Sequence, residues 1–357
     1  MTIRVKFPTS KGTIEIGEGL PTYLISEVGL NHNGSEELAK EMIYQSALSG
    51  ATFVKFQKRS PSDLATAAFL DAPFEKCPLL GSTQRDVREK LELSLDVYIR
   101  LREYAESLGL VFFASAFDIT SLNFLFEAGV KIIKVASHSV TNGSLLEELA
   151  RRKTPVIVSL GGTTKKERDQ AVEILKENPM ILMHCVSSYP TPDSLVNIDT
   201  INHLKAKYRV PVGFSSHEVG IDVSVAASIL GACVIERHFT LDTSMVGLDQ
   251  SISLEPDQFS EMAKKINRMR SIRGKVEDIQ EEEKINKNNY HVAICASENI
   301  TKGSIITKEL LTFKQPLSDA SLYFTGMEMS SVIGARASED LKADEAIPRS
   351  SISIDKQ

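Results

Sequence analysis

Apolar, β-branched runs recur through the first two-thirds of the chain: "YLISEVGL", "ATFVKFQ", "LVFFASAF", "VKIIKVAS", "TPVIVSL", "MILMHCVS", "VPVGFSSH" and "ACVIERHF". Each is too short for a buried helix and several follow Gly or Pro, so all eight are predicted strands. Amphipathic stretches with sensible ends separate them. One helix is expected to start at Ser35, with Glu36 and Glu37 in its first turn, and to stop before Gly50; another runs from Ser94 to Gly109. Near-continuous apolar strands alternating with helices imply a parallel sheet covered by helices. Eight such units in about 250 residues suit an α/β fold of the closed (β/α)8 TIM-barrel kind. A doubly wound open sheet is the competing architecture, but no strand runs into a G-x-G-x-x-G turn, and the doublet Gly161-Gly162 is a weak phosphate-loop signal.

The pattern departs from this period in four places. The first twenty residues read as a hairpin turning at Ser10 to Gly12, closing the barrel floor. The connection from Lys58 to about Ser94 is far longer than an ordinary strand-to-helix loop, which points to a lid or a dimer contact. A charged, apolar-poor stretch follows the barrel, and from Tyr290 short strands and turns mark a separate, small β-rich domain. The expected division is a barrel over 1–275, a linker over 276–289 and the small domain over 290–357.

With 357 residues, 42% of them hydrophobic, the chain can bury a full core and one small satellite domain. A formal charge of -6 argues against nucleic acid as a partner, because counterion release needs clustered cations. Cys77, Cys185, Cys233 and Cys295 form no C-x-x-C pair and three of them lie in apolar runs, which fits a reducing cytoplasm. No segment has the length of apolar chain that a membrane span needs, and the N-terminus has no apolar signal core. The expectation is a soluble, unprocessed cytoplasmic protein with no membrane partner.

A barrel places its chemistry at the C-terminal strand ends. Those ends read Glu27, Lys55 with Gln57, Ser115, Lys134 with Ser137, Ser159, His184 with Ser187, Ser215 with His217, and Glu236 with His238. A single serine there is unremarkable, since strands meet wet loops. Lys55 and Lys134, inside apolar runs, are harder to dismiss: a buried ammonium needs a carboxylate or an anionic ligand. His217 and His238 close successive strands, so both imidazoles reach one rim. Two imidazoles suit a divalent ion with open positions better than a closed zinc site, although isolated histidines are often structural and His184 competes for the role. Glu27 and Glu236 can act as acid or base, orient a histidine, or balance the lysines. Lysines and hydroxyls holding a dianion beside a carbonyl-polarising metal suit a phosphorylated carbon nucleophile meeting an aldehyde.

With "SEVGLNHNGSEELAKEMI", "GATFVKFQ", "FFASAFD", "IIKVASHSVTN", "HCVSSYPTP", "GFSSHEVGIDVSVAASILGACVIERHFTLDTSMVGLDQSISLEP" and "ITKGSIITKELLTFKQP" in order, the chain resembles the sialic acid synthase family. The resemblance implies a barrel with a C-terminal antifreeze-like domain of β-clip type in a domain-swapped homodimer. It implies condensation of phosphoenolpyruvate with an N-acylated hexose, N-acetylmannosamine or a related amino-sugar, giving a nonulosonic acid and phosphate. By position it puts a divalent metal, Mn²⁺ with Mg²⁺ or Co²⁺ as alternatives, on His217 and His238. Phosphoenolpyruvate falls on Lys55, Ser115, Lys134, Ser137, Ser159 and Ser215, with Ser187 where the family has an asparagine near the phosphate or carboxylate, and an acid/base role falls on Glu27; Glu236, with Lys55 and Lys134, is a catalytic candidate from its strand-end position. Sugar contacts fall on Gln57, Phe117, Tyr189, Asp249 and Gln315.

The chain departs from the family pattern at "SLGG" (Ser159 to Gly162), at Ser187 for an asparagine, at Ser216 for an aspartate before the metal histidine, and at Gln315 for an arginine. The competing readings are a divergent sugar- or phosphoenolpyruvate-binding protein, a synthase for a different aldose, and a barrel enzyme using a phosphorylated sugar. The last needs extra basic residues on the sugar side, and the sequence shows no obvious cluster of them.

Overall fold

A computed structural model describes residues 2–317 and 319–353. It divides into two compact units, one ending at Arg273 and one starting at Gly274. In the first, strands β1 (Arg4–Thr9) and β2 (Gly12–Gly17) pair antiparallel, and Phe7 and Ile16 are fully buried in the main core. Lys131, just before the fourth barrel strand, donates to the Thr9 carbonyl at 3.3 Å, tying the hairpin to the N-terminal side of the barrel.

The eight predicted strands are all present: β3 (Tyr23–Gly29), β4 (Phe53–Lys58), β5 (Val111–Ala116), β6 (Ile133–Val135), β7 (Val156–Ser159), β8 (Met180–Cys185), β9 (Val212–Ser216) and β10 (Val234–His238). They pair in parallel from β3 to β10, and β10 returns to β3, closing the barrel. The open-sheet alternative is therefore excluded. The two helices read from their caps are Glu36–Leu48, with Ser35 Oγ accepting from Leu38 N, and Leu95–Ser107. Their buried faces, Ala39, Met42 and Ile43 on one and Tyr98, Leu101 and Ala105 on the other, pack onto the strands as amphipathic helices must.

The long connection after β4 has a satellite core of its own. Helix Gln84–Leu91 opens with a capping box between Thr83 and Asp86, and its Val87 and Leu91, one turn apart, bury against Leu30, Cys77 and Leu80. Both ends of the connection are stapled by one buried ion pair, Lys58 Nζ to Glu92 at 2.6 Å, with Lys58 also over the Phe124 ring at 4.4 Å. This is a packed subdomain rather than a loose loop.

His32 supplies a test of this packing. Its ring stacks on Phe56 at 5.6 Å, accepts from Gly34 N at 3.1 Å, and burial pushes its pKa down from 6.5 to about 4. The unfolded chain takes up a proton below about 6.5 that the folded chain refuses until about 4. Stability from this residue is thus complete above 6.5 and declines as the pH falls towards 4. Urea unfolding should show a loss of about 2 kcal/mol between about pH 8 and about pH 5 attributable to His32, and His32→Gln should remove that part of the slope.

The second unit carries two small antiparallel ladders, β11 (Ala293–Ala296) with β12 (Leu311–Lys314) and β13 (Arg336–Ala337) with β14 (Ile352–Ser353). Ile294, Ile306, Val332 and Ile347 form its core. The 276–289 stretch contains most of the helix Glu281–Tyr290, none of whose residues is buried. All four cysteines are free and buried. No helix among the described residues is long and apolar enough to cross a membrane.

Candidate active site

In a strand, alternate side chains face the same side, so each barrel strand offers the interior every second residue near its C-terminal end. Those positions line one cavity of about 530 Å³: Glu27; Lys55 and Gln57; Ser115 and Phe117; Lys134 and Ala136; Ser159 and Gly161; Cys185 and Ser187; Ser215 and His217; Glu236 and His238. Ser137, His138, Tyr189 and Asp249 join from the loops. Every site residue expected in the barrel is therefore in this cavity. Gln315 belongs to the second unit, where its Nε2 donates to the Asn289 carbonyl at 2.6 Å. His184 is the exception among the strand-end histidines: one residue out of phase with Cys185, it faces away, with Nε2 2.6 Å from the Val196 carbonyl and its ring stacked on Phe214. It is no competitor as a ligand from this cavity.

Four charges sit at the cavity base. Lys134 Nζ lies 2.8 Å from both Glu236 oxygens, and Lys55 Nζ lies 3.4 Å from Glu236 Oε1 and 3.0 Å from Glu27 Oε2. Burial alone would push the Glu236 carboxyl up, but Lys134 and Lys55 together outweigh it and hold it at about 2. Burial also disfavours charge on Lys55, yet Glu236 and Glu27 hold its pKa above the usual lysine value. Lys134 is pushed the other way, by burial and by the charge of Lys55. The lysines are thus paired, as two buried ammonium groups must be. Two atoms of this floor have no aligned hydrogen-bond partner: Glu27 Oε2, which Lys55 approaches off the hydrogen-bond direction, and Ser159 Oγ. Hydroxyls surround them, with Ser115 Oγ 3.3 Å from Lys55 Nζ and Ser215 Oγ 3.1 Å from Glu236.

Gly161, which "SLGG" shares with the family pattern, sits where a side chain has no room. A Cβ there would lie 2.6 Å from Ser187 Oγ, 2.9 Å from Ser137 Oγ and 3.0 Å from Cys185 Sγ. Its backbone N–H donates to Ser137 Oγ at 3.1 Å. Gly161→Ala is expected to turn both hydroxyls away and weaken capture of an anionic ligand about tenfold, one hydrogen bond's worth or a little more. Isothermal titration with phosphoenolpyruvate checks it, with unfolding midpoints as the control.

His217 and His238 meet across the upper cavity with ring centroids 5.5 Å apart, and Tyr189 packs on His217 at 4.2 Å. Burial, then the neighbouring His238, lowers the His217 pKa to about 3, so this ring is neutral and able to donate a lone pair. Its Nδ1 lies 3.1 Å from the Val186 carbonyl, which leaves Nε2 free. His238 Nδ1 is buried without a hydrogen-bond partner and lies 3.9 Å from Asp249 Oδ2. No group of three or more His, Cys, Asp or Glu side chains converges among the described residues. The donor set therefore fits an open site with two imidazole ligands and no closed structural one.

Behind the strands, Ser216 faces away from the cavity and donates to the Glu218 carboxylate. Fully buried Arg237 donates to Glu218 Oε1 at 3.3 Å, to the Glu218 carbonyl at 2.9 Å and to the Gly220 carbonyl at 2.6 Å. A carboxylate two residues on, Glu218, lies beside Ser216, and Arg237 clamps the loop carrying His217 to the strand carrying His238.

Sequence reasoning missed Arg59, Arg88 and His138. Arg59 continues the alternation of Lys55 and Gln57, a signal that was readable; Arg88 sits on a helix whose placement depends on the satellite core. Arg59 Nη2 donates to Gln57 Oε1 at 2.5 Å, and its guanidinium lies 4.8 Å from the Phe117 ring centre. A basic pair that the sequence did not reveal is brought to the cavity by the fold.

Comparison with known proteins follows the same lines. Residues 42–278 match the NeuB family and residues 291–352 the SAF domain. The chain is 34% identical over 333 residues, 91% of its length and 98% of the relative's, to the N,N'-diacetyllegionaminic acid synthase of Campylobacter jejuni. It is 33% identical to the human N-acetylneuraminate-9-phosphate synthase, covering 84% of each. Among solved structures, an N-acetylneuraminic acid synthetase from Leptospira borgpetersenii, in complex with citrate, superimposes with a TM-score of 0.68 at 33% identity, over 80% of this chain and 96% of that one.

Proposed function

The chain belongs to the NeuB family, and on that premise we propose that it condenses phosphoenolpyruvate with an acylamino aldose and water, giving a nonulosonic acid and inorganic phosphate. The observation that carries this reading is the buried quartet of Lys55, Glu27, Glu236 and Lys134 directly below two facing imidazoles. Lys55 and Lys134 with Ser115, Ser137, Ser159, Ser187 and Ser215 take the phosphate and carboxylate of phosphoenolpyruvate. Its methylene carbon faces upward, and forms the new C–C bond to the aldehyde carbon of a sugar lying between Gln57, Phe117, Tyr189 and Asp249. Positive charge then develops at the phosphate-bearing carbon, where Glu236 and Glu27 oppose it. Glu27 Oε2 takes one proton from the water that adds there and passes it to the new alkoxide; the remaining hydroxyl proton passes to the departing phosphate as the C–O bond to phosphate breaks and the ketone C=O forms. His217 and His238 would hold a divalent cation, which when bound supplies Lewis-acid polarisation of the aldehyde oxygen. In the swapped homodimer implied by the resemblance, the small domain brings Gln315 to the neighbouring protomer's sugar.

The test is depletion of phosphoenolpyruvate with Mn²⁺ across a panel of acylamino aldoses and unsubstituted hexoses. Depletion that needs one sugar and stops with chelator supports the reading; depletion without any sugar, or none with any of them, counts against it.

A further inference from the structure

The two facing imidazoles are not equally supported. His217 Nδ1 has the Val186 carbonyl at 3.1 Å, which anchors one nitrogen of that ring and leaves the other open. His238 Nδ1 is sealed from solvent and has no partner, so Nε2 is the nitrogen this ring leaves to the cavity. A buried ring N–H with nothing to accept it is costly. Asp249 Oδ2 lies 3.9 Å from it, about 1 Å beyond hydrogen-bond reach. The Asp249 side chain is 29% exposed and its carboxylate forms no hydrogen bond among the described residues, so it is free to turn. Its backbone is held on both sides: Asp249 N donates to Gln250 Oε1 at 3.2 Å, and the Asp249 carbonyl accepts from Ser253 Oγ at 2.6 Å. Fully buried Gln250 also donates from Nε2 to the Asn31 carbonyl at 3.2 Å, and Gly247 leaves room for an amide that a Cβ there would strike. Asn31 Nδ2 donates to Ser253 Oγ at 2.9 Å and to the Phe239 carbonyl at 2.8 Å, and Leu254 N donates to the His238 carbonyl at 2.8 Å. The loop carrying Asp249 is thus fastened to His238 and Phe239 themselves, while its carboxylate is left loose beside the orphaned nitrogen.

An imidazole that binds a cation through one nitrogen carries its proton on the other, and the acceptor of that proton decides which nitrogen is which. We infer that Asp249 is the positioning residue for His238. A turn of its side chain brings Oδ2 onto Nδ1–H, which keeps the ring proton there and leaves the Nε2 lone pair facing the cavity for a divalent cation. His217 reaches the same state through the Val186 carbonyl, but a carboxylate acceptor also makes its imidazole the stronger donor of the two. The inference rests on the metal part of the proposed function. It gives one Asp249 oxygen a task apart from the sugar contact that the resemblance implies.

The experiment titrates the full-length protein with Mn²⁺ alone, with neither phosphoenolpyruvate nor sugar present, and reads free Mn²⁺ by electron paramagnetic resonance. Asp249→Leu, which removes the acceptor, is expected to raise the Kd for Mn²⁺ about tenfold to hundredfold. Asp249→Asn keeps an oxygen that accepts from Nδ1–H without the charge, and should raise it only about threefold. Both variants should unfold at the urea midpoint of the unaltered protein, because the carboxylate holds nothing else in place. An unchanged Kd in Asp249→Leu overturns the inference. So does an equal loss in both variants, which would make the carboxylate itself a ligand. Absence of saturable Mn²⁺ binding by the unaltered protein sinks the metal reading and the inference with it, whereas binding by the unaltered protein with either of the two contrary variant patterns sinks the inference alone.

Discussion

Lys134→Met should lower kcat/KM by three orders of magnitude or more, roughly the scale set by removing a preorganised charge from a desolvated site. The ammonium sits 2.8 Å from both oxygens of a fully enclosed carboxylate. Its loss leaves Glu236 with Lys55 at 3.4 Å as its one remaining ammonium and with the Ser215 hydroxyl, and removes the strongest of the causes that hold the Glu236 pKa at about 2. A buried charge without its partner costs about 3 kcal/mol or more, so the variant should also unfold earlier. The double variant Lys134→Met/Glu236→Gln separates the two effects. It removes the stranded charge and should recover most of the stability while recovering none of the turnover. Recovery of both would make the pair a structural strut; failure to recover stability would mean that packing, and not charge, is what Lys134 supplies.

His217→Ala and His238→Ala should each lower turnover by about three orders of magnitude, corresponding to several kcal/mol of lost polarisation. On the proposed reading phosphoenolpyruvate lies in the lysine and serine layer beneath, and it should still bind within a few-fold. Spectroscopic titration with Mn²⁺ gives the independent readout, since either substitution removes one of two imidazole donors and should abolish saturable binding. His184→Ala serves as the contrast. That ring lies outside the cavity, and its replacement should touch stability through the lost contacts with Val196 and Phe214 without altering Mn²⁺ binding. Equal loss of Mn²⁺ binding in all three variants would contradict the assignment.

The barrel was legible because each of its strands is a short, nearly unbroken apolar run, and because Ser35 and Gly50 bracket a helix with one apolar face. The site was legible for a related reason. Once the fold is granted, alternation alone picks Lys55 and Gln57, Ser215 and His217, Glu236 and His238. His184 shows how narrow that margin is, since a shift of one residue exchanges it for Cys185. Arg59 lay within reach of the same rule, beyond the strand end where the rule is easily dropped. Arg88 did not: no periodicity in the sequence says that Val87 and Leu91 bury against Leu30, Cys77 and Leu80 and turn the arginine inward. Glu218 was not legible either: only the closure of the loop by Arg237 brings its carboxylate alongside Ser216.

The central claim is that one cavity joins two substrates through a new carbon–carbon bond. Mass spectrometry of a reaction containing phosphoenolpyruvate, Mn²⁺ and an acylamino aldose tests it most directly. The account predicts an acid carrying the three carbons of phosphoenolpyruvate on the aldose, formed mole for mole with phosphate and absent from the Lys134→Met sample. Phosphate accompanied by free pyruvate, with the aldose unchanged, would contradict it.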